Sequence, residues 1–132
     1  MVISRESDYA MRILRDLSHG GVRSAKDICG REQIPMQYAY KILKKLENNG
    51  FLAGYRGPKG GYELIKSPDS FTLYDIVIAV EETVYINECM KLGYACPRNT
   101  IGSRCEMHQE LQRVQKKLVD SLNEKTFAEV LQ

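Results

Sequence analysis

Residues 34–64, IPMQYAYKILKKLENNGFLAGYRGPKGGYEL, carry the pattern from which the rest of the architecture follows. Pro35 predicts the start of a helix because its fixed φ suits the first helical turn, and Gly50 predicts the end of that helix. Beyond Gly50, two aromatic-bearing runs flank a glycine-rich turn. This pattern predicts a β-hairpin that carries Arg56 and Lys59 at its tip.

The predicted helix at residues 35–49 has two unlike faces. Its inward stripe consists of apolar side chains at helical spacing, namely Ala39, Ile42, Leu43 and Leu46. Its outer face carries an amide, a phenol and three ammonium groups, contributed by Gln37, Tyr40, Lys41, Lys44 and Lys45. A face of this kind is also found on ordinary solvated helices of small α+β domains, so by itself it does not indicate DNA binding. The neighbouring elements have to support that interpretation.

Two shorter helices are predicted upstream. In the first, at residues 7–17, one side is apolar, with Tyr9, Ala10, Ile13, Leu14 and Leu17 at helical spacing. The second starts at Ser24, which forms a capping-box pattern with Asp27, and should stop near Cys29 and Gly30. Three helices followed by a basic-tipped hairpin predict a mainly α fold with a small β-hairpin, the winged helix-turn-helix, with the helix at 35–49 as the recognition helix.

A winged helix-turn-helix of this kind would bind double-stranded DNA in two ways. Lys and Arg displace counterions from phosphates without reading sequence, whereas Gln37, Tyr40 and Lys41 can reach base edges in a major groove. Arg56 and Lys59 suit the neighbouring backbone or minor groove. The candidate DNA-binding residues are Gln37, Tyr38, Tyr40, Lys41, Lys44, Lys45, Arg56 and Lys59.

Charge is divided unevenly along the chain of 132 residues. Residues 1–66 hold 12 Lys and Arg against 7 Asp and Glu, a net charge of +5, whereas residues 67–132 have a net charge of −3. This asymmetry favours a DNA-binding region at 1–66 joined in one compact unit to a second region at 67–132. The longest apolar stretch, 71–80, is too short to cross a bilayer and the opening residues lack a signal-peptide pattern, so a cytoplasmic protein with no membrane partner is expected.

The second region predicts two further helices. Thr72 and Asp75 have capping-box spacing at the start of an apolar helix at residues 73–82. The last helix, residues 106–123, has one narrow apolar seam, formed by Met107, Leu111, Val114, Leu118 and Leu122. This seam can pack on the chain's own N-terminal helices or on a second copy. A homodimer is expected, because a single winged helix of this size makes too few base contacts alone. Twofold symmetry would then place two recognition helices about 34 Å apart on a roughly palindromic operator.

Three of the four cysteines, Cys89, Cys96 and Cys105, cluster in a segment whose glycines and proline predict an irregular loop. Cys105 and His108 would share a face at the start of the last helix. Permanent disulfides are disfavoured in the cytoplasm, which leaves a metal or cluster site, a redox switch or chance. A structural zinc fits the number of ligands, but the wide spacing favours an iron–sulfur cluster over a thiol switch, and a thiol switch over zinc. Cys29 is expected to be a buried thiol without a role.

Several stretches together resemble the Rrf2 family of bacterial transcription regulators: the RGPKGGY wing, SFTLYDIVIAVE, the three-cysteine loop and the closing TFAEVL. The resemblance implies a homodimer joined through the helix at 106–123 and a cluster ligated by Cys89, Cys96 and Cys105. His108 stands where cluster-biogenesis regulators of the family have a fourth ligand, which favours a 2Fe-2S cluster. Nitric-oxide-sensing relatives hold a 4Fe-4S cluster with an acidic residue from the other subunit. Asp8 of the partner subunit matches that place, so the fourth ligand stays open.

The function predicted from the sequence is transcription regulation through DNA, with operator affinity controlled by an iron–sulfur cluster that senses iron–sulfur, redox or nitric oxide status. The cysteine loop joins the dimer helix directly, so a change at the cluster can reposition that helix and the two wings. The alternatives are a thiol-switch regulator without a cluster and a cluster carrier that binds no DNA. An enzyme is not expected, since two histidines and no nucleotide-binding glycine loop offer little catalytic material.

Overall fold

The computed structural model describes residues 3–132, and it is mainly helical with one two-stranded antiparallel hairpin, as the sequence predicts. The N-terminal half contains α1 (Arg5–Leu17), α2 (Ala25–Glu32), α3 (Met36–Asn48), β1 (Leu52–Tyr55) and β2 (Gly61–Leu64). The C-terminal half contains a 3₁₀ turn at Pro68–Ser70, α4 (Leu73–Glu81), a second 3₁₀ turn at Glu88–Met90, α5 (Glu106–Leu122) and α6 (Phe127–Val130). Within residues 3–132, every helix is too short or too polar to span a lipid bilayer.

Several helix ends differ by one or two residues from the predicted ones, and three of these differences follow from the capping residues. α1 starts earlier than predicted because Ser4 is its N-cap, and the Ser4 hydroxyl accepts a hydrogen bond from the backbone N–H of Ser7 at 3.2 Å. α2 continues through Gly30 and closes at Gln33, whose φ of 56° is left-handed. Pro35 is the N-cap of α3 rather than part of its first turn, since its ψ of 129° is extended.

The apolar faces of α1, α2, α3 and α4 pack into one core that also takes in residues of the hairpin and the C-terminal segment. Asp16 is a charged residue inside this core, with 3% of its surface exposed. Arg31 donates to its carboxylate at 2.7 and 3.0 Å, and Arg23 donates at 3.1 Å. Burial raises the pKa of the Asp16 carboxyl, but the two guanidinium groups outweigh burial and hold the pKa below its ordinary value. This network ties the ends of α1 and α2 to the segment between them.

The hairpin is held against that same segment. β1 pairs with β2 so that Tyr55 lies opposite Gly61. Arg23 exchanges two backbone hydrogen bonds with Tyr62, at 2.8 and 2.9 Å, and so forms an isolated antiparallel bridge beside the hairpin. A Cβ on Gly61 would lie 2.3 Å from the carbonyl oxygen of Arg23, so the approach requires glycine. The wing is therefore fixed to the helical core at its base.

Aromatic stacking brings the end of the chain back to the core. α4 begins at the predicted capping box of Thr72 and Asp75, in which both reciprocal hydrogen bonds are present. The ring of Phe71 stacks on Phe127 at 5.2 Å and meets Phe51 edge-on at 5.0 Å. The backbone N–H of Phe127 also donates to the Phe71 carbonyl at 2.7 Å. α6 is thereby docked beside the start of α4.

α5 lies largely outside the core. It packs on α4 and on the turn at Glu88–Met90, and all of its residues keep part of their surface in solvent. In its apolar seam, Met107 is 69% exposed and Val114 is 39% exposed. Of the two partners considered for this seam, the chain's own N-terminal helices do not bury it.

Candidate functional site

The solvent face of α3 holds most of the predicted DNA contacts. Gln37, Tyr40, Lys41 and Lys44 are all exposed, and Tyr40 keeps 57% of its surface in solvent. The opposite face of α3 is buried as predicted, through Ala39, Ile42, Leu43 and Leu46. Because the exposed side chains lie on one face over successive turns, they can enter a single groove together.

Two lysines of α3 are bound to the first turn of α1. Lys41 Nζ donates to Glu6 Oε1 at 2.9 Å, and Lys45 Nζ donates to Glu6 Oε2 at 3.1 Å. Lys45 also donates to the carbonyl of Val80, near the end of α4, at 3.0 Å. The hydrogen bond from Lys41 lowers the pKa of the Glu6 carboxyl. Glu6 thus links α1 with the recognition helix, and Lys45 links that helix with α4.

Tyr38 lies beside α1. Its side chain is 43% exposed, and its ring centroid is 6.0 Å from that of Tyr9. The Arg12 guanidinium lies 5.2 Å over the Tyr9 ring and pairs with Asp8 one turn earlier. The structure therefore places Asp8, the alternative cluster ligand, in an ion pair within its own helix.

The wing presents its two predicted cations at a tight turn. Arg56 and Lys59 are exposed on either side of Pro58. The turn is closed by the backbone N–H of Gly60, which donates to the Gly57 carbonyl at 2.9 Å. Gly57 adopts a φ of 103°, a conformation that favours glycine. A closed turn with exposed cations can approach a phosphate backbone closely.

A cleft of about 270 Å³ separates α3 from the wing, and Glu47 and Tyr62 contribute to its walls. Burial raises the pKa of the Tyr62 phenol, and the charges of Glu47 and Tyr40 add to this effect. The sequence patterns do not single out Glu6, Glu47 or Tyr62. No local spacing rule connects α1, α3 and β2, so only their packing reveals that Glu6 bonds the recognition helix and that Tyr62 shares a cleft with Glu47 of that helix.

The cysteine loop and the first turns of α5 enclose a cavity of about 310 Å³. Its lining includes all four predicted metal ligands, which are Cys89, Cys96, Cys105 and His108. Asn87, Tyr94, Arg98 and Asn99 also line it. The structure therefore brings the four side chains to one cavity.

The thiols differ in their surroundings. Cys89 Sγ accepts a hydrogen bond from Asn87 Nδ2 at 3.4 Å. Cys105 is the N-cap of α5, and its backbone N–H donates to Asn99 Oδ1 at 3.1 Å. Cys29 lies apart on α2, where burial raises the pKa of its thiol. The three loop cysteines share a polar, half-exposed setting, whereas Cys29 packs in the core.

Cys96 and His108 carry the clearest chemical signals at this cavity. The backbone N–H and the guanidinium of Arg98 hold the pKa of the Cys96 thiol below its ordinary value. His108 Nδ1 is buried and finds no hydrogen-bond partner among residues 3–132. Cysteine sulfurs and an imidazole nitrogen form a donor set that iron–sulfur clusters accept. Within the described chain, no group of three or more His, Cys, Asp or Glu is gathered around a single ion position.

α5 is connected to the loop and to the core at separate points. Gln115 Nε2 donates to the Val84 carbonyl at 2.6 Å, and Gln115 Oε1 accepts from the backbone N–H of Ile86 at 2.9 Å. At the other end of the helix, Thr72 Oγ1 hydrogen-bonds Asn123 Oδ1 at 2.9 Å. The middle of α5 is thereby held to the loop that follows α4, and its C-terminal end is held to the start of α4.

Comparisons with known proteins agree on one family. The family model described as Rrf2, iron-dependent transcriptional regulator, matches residues 3–132. The HTH-type transcriptional regulator IscR of Erwinia tasmaniensis is 32% identical over 135 residues, which cover 99% of this chain and 79% of that protein.

Solved structures share the fold. CymR, the global cysteine regulator of B. subtilis, superposes with a TM-score of 0.73 at 24% identity and covers 98% of this chain and 95% of that one. The oxidized form of Staphylococcus aureus CymR gives a TM-score of 0.77 at 21% identity, with 100% and 97% covered. These likenesses confirm the predicted winged-helix fold class.

Proposed function

Because the chain belongs to the Rrf2 family of transcriptional regulators, we propose that it binds operator DNA with an affinity set by an iron–sulfur cluster on Cys89, Cys96 and Cys105. Transcriptional regulators of this family bind DNA and are not enzymes. The cluster-carrier alternative is therefore not retained. A cytoplasmic location follows from this role.

One observation carries the cluster proposal: three cysteines with free thiols line the same cavity as His108, whose buried Nδ1 has no hydrogen-bond partner in the described chain. A bound cluster would supply one-electron redox chemistry and reactivity towards small molecules. The cavity is wider than a single ion requires, which favours a cluster over zinc.

His108 is the better supported fourth ligand. Its ring lines the cavity, its buried Nδ1 has no hydrogen-bond partner in the described chain, and ligation would satisfy that nitrogen. Asp8 of the other candidate set is already paired with Arg12 in its own helix. An imidazole as fourth ligand favours a 2Fe-2S cluster, whereas a carboxylate from the partner would favour 4Fe-4S.

The proposed readout runs through α5. Cys105 caps this helix, which is about 25 Å long for its 17 residues. The way the three thiols are held therefore decides where the first turn of α5 lies. We propose that the exposed seam of α5 packs on a second copy of the chain, so that a shift of α5 changes the distance between the two recognition helices on a roughly palindromic operator.

The DNA interface proposed here consists of one face of α3 and the wing tip. Its residues are Gln37, Tyr38, Tyr40, Lys41, Lys44, Lys45, Arg56 and Lys59. The exposure of these residues supports this assignment for all except Lys45, which reaches DNA only after leaving Glu6 and Val80.

Anaerobic purification tests the cluster proposal. The protein is expected to be coloured, to contain iron and sulfide in equal amounts, and to bind promoter fragments with an affinity that changes about 5- to 150-fold on cluster removal. Cys89→Ser should lose the iron, and Cys29→Ser is the matched control that should keep it. Colourless, iron-free protein that binds DNA with unchanged affinity would contradict the proposal. His108→Ala and Asp8→Ala, compared by absorption spectrum, identify the fourth ligand.

A thiol switch is the second candidate, and the three unpaired thiols around one cavity favour it. Staphylococcus aureus CymR, which shares the fold, has been solved in an oxidized form. If this candidate is correct, iron-free protein changes its DNA affinity on treatment with hydrogen peroxide, and dithiothreitol restores it. Cluster-dependent binding that peroxide alters only through loss of iron would exclude it.

A further inference from the structure

The first turn of α1 places a carboxylate against the recognition helix. Glu6 accepts one hydrogen bond from Lys41 and one from Lys45, at 2.9 and 3.1 Å, each through a different carboxylate oxygen. The Glu6 side chain is 31% exposed and the Lys41 side chain is 65% exposed. A single acidic residue therefore partly neutralises two of the three lysines on the helix that faces DNA.

The arrangement resembles the one that a DNA phosphate would make. A phosphate presents two anionic oxygens, and lysine side chains bind it as point charges. The two Glu6 oxygens accept hydrogen bonds from the ammonium groups of Lys41 and Lys45 in the same manner. Lys41 therefore has to leave Glu6, at least in part, before it can contact DNA.

We propose that Glu6 competes with DNA phosphates for Lys41 and Lys45, and so weakens DNA binding from within the chain. The proposal rests on the assignment of these two lysines to the DNA interface. Glu6 is a positioning residue, because it acts through the lysines. It restrains the recognition helix when DNA is absent and repels the phosphate when DNA is present.

The neighbours of Glu6 connect this restraint to the end of α4. Ser7, the next residue of α1, is fully buried and donates from its hydroxyl to Glu81 Oε1 at 2.9 Å. Ser4 bonds the same carboxylate. Lys45 donates to the Val80 carbonyl one residue earlier. Beyond Glu81 the chain enters the loop that carries the cysteines, so the helix of Glu6 and the helix of Lys45 are both bonded to the residues that precede that loop.

The test measures binding of the full-length protein to a fluorescein-labelled duplex of random sequence by fluorescence anisotropy at several salt concentrations. A random duplex suffices because phosphate contacts do not depend on sequence. Glu6→Gln should bind about 5-fold more tightly at low salt, which corresponds to about 1 kcal/mol at 25 °C. Its plot of log K against log salt should be steeper, by up to about 0.9 for each lysine released.

Two controls separate the possible failures. Glu63→Gln, on β2 opposite Ala53, removes the same charge from the same half of the chain and should change the affinity less. Lys41→Ala should weaken binding, and in that background Glu6→Gln should have a smaller effect. If Lys41→Ala binds as the wild type does, the interface assignment fails and the competition fails with it. If Lys41→Ala weakens binding but Glu6→Gln matches the wild type or Glu63→Gln in affinity and slope, the competition alone is refuted. Thermal melting verifies that each variant is folded.

Discussion

Replacing Phe127 by alanine should detach the C-terminal segment from the core. The side chain is 2% exposed, and its ring stacks on Phe71 at a centroid distance of 5.2 Å. Removal of a buried phenylalanine side chain lowers the free energy of unfolding by about 3–5 kcal/mol. A chain of 132 residues has a total free energy of unfolding of about 7–20 kcal/mol, so this loss is a large fraction of the stability.

The loss should reach α5 as well. The Phe127 backbone N–H donates to the Phe71 carbonyl at 2.7 Å. Four residues before Phe127, the side chain of Asn123 accepts a hydrogen bond from the Thr72 hydroxyl. These contacts anchor the C-terminal end of α5. Without the Phe127 ring the anchor loosens, while the cysteine cavity at the other end of the helix keeps its own contacts.

Urea unfolding followed by circular dichroism measures the effect at one fixed protein concentration. With a slope of about 2 kcal/mol per molar urea, a loss of 4 kcal/mol moves the midpoint down by about 2 M. Val130→Ala, at a residue that is 42% exposed, is the matched control and should move it by less than about 0.3 M. A loss below about 1 kcal/mol for Phe127→Ala, or a loss equal to that of the control, would refute the view that this ring anchors the segment.

Two further predictions concern charge. Asp16 has a folded-state pKa below its unfolded value, so its contribution to stability is present above about pH 4 and is lost as the pH falls through the folded pKa. Asp16→Asn should lower the free energy of unfolding by about 2 kcal/mol at neutral pH and flatten this acid dependence in urea titrations. An unchanged acid profile would contradict this role of the Asp16 carboxylate. Lys59→Ala should weaken binding to operator and random DNA by the same factor and reduce the salt slope by about 1. Lys125→Ala, outside the proposed interface, should leave both the affinity and the salt slope unchanged. A loss confined to operator DNA would show that Lys59 reads bases instead.

Local patterns predicted the N-terminal half well. The apolar spacing of α3 and its solvent face follow from residues that are three and four apart, and the structure confirms both. The hairpin and its basic tip follow from glycine and proline positions. The starts of α1 and α3 were displaced by a residue or two because Ser4 and Pro35 serve as caps, a choice that depends on backbone angles.

Contacts between distant residues were not predictable in this way. The bonds of Glu6 with Lys41 and Lys45 join residues that are 35 and 39 positions apart. Lys45 has the same periodicity as the exposed lysines, yet it turns towards the Val80 carbonyl. Periodicity says which side of a helix a residue occupies, but it does not say which other helix will lie beside it.

At the cysteine site, too, the sequence predicts which residues are involved but not how they are arranged. The order of residues alone places Cys105 and His108 at the start of α5 and the other two cysteines, Cys89 and Cys96, in the loop that leads to it. Their arrangement around one cavity, the unpartnered Nδ1 of His108 and the exposed seam of α5 arise from packing. Spacing within an element is a property of the backbone, whereas the partner of a side chain depends on how whole elements pack together. The sequence therefore specified which groups are candidates for the site, whereas the folded arrangement alone determined what surrounds each of them.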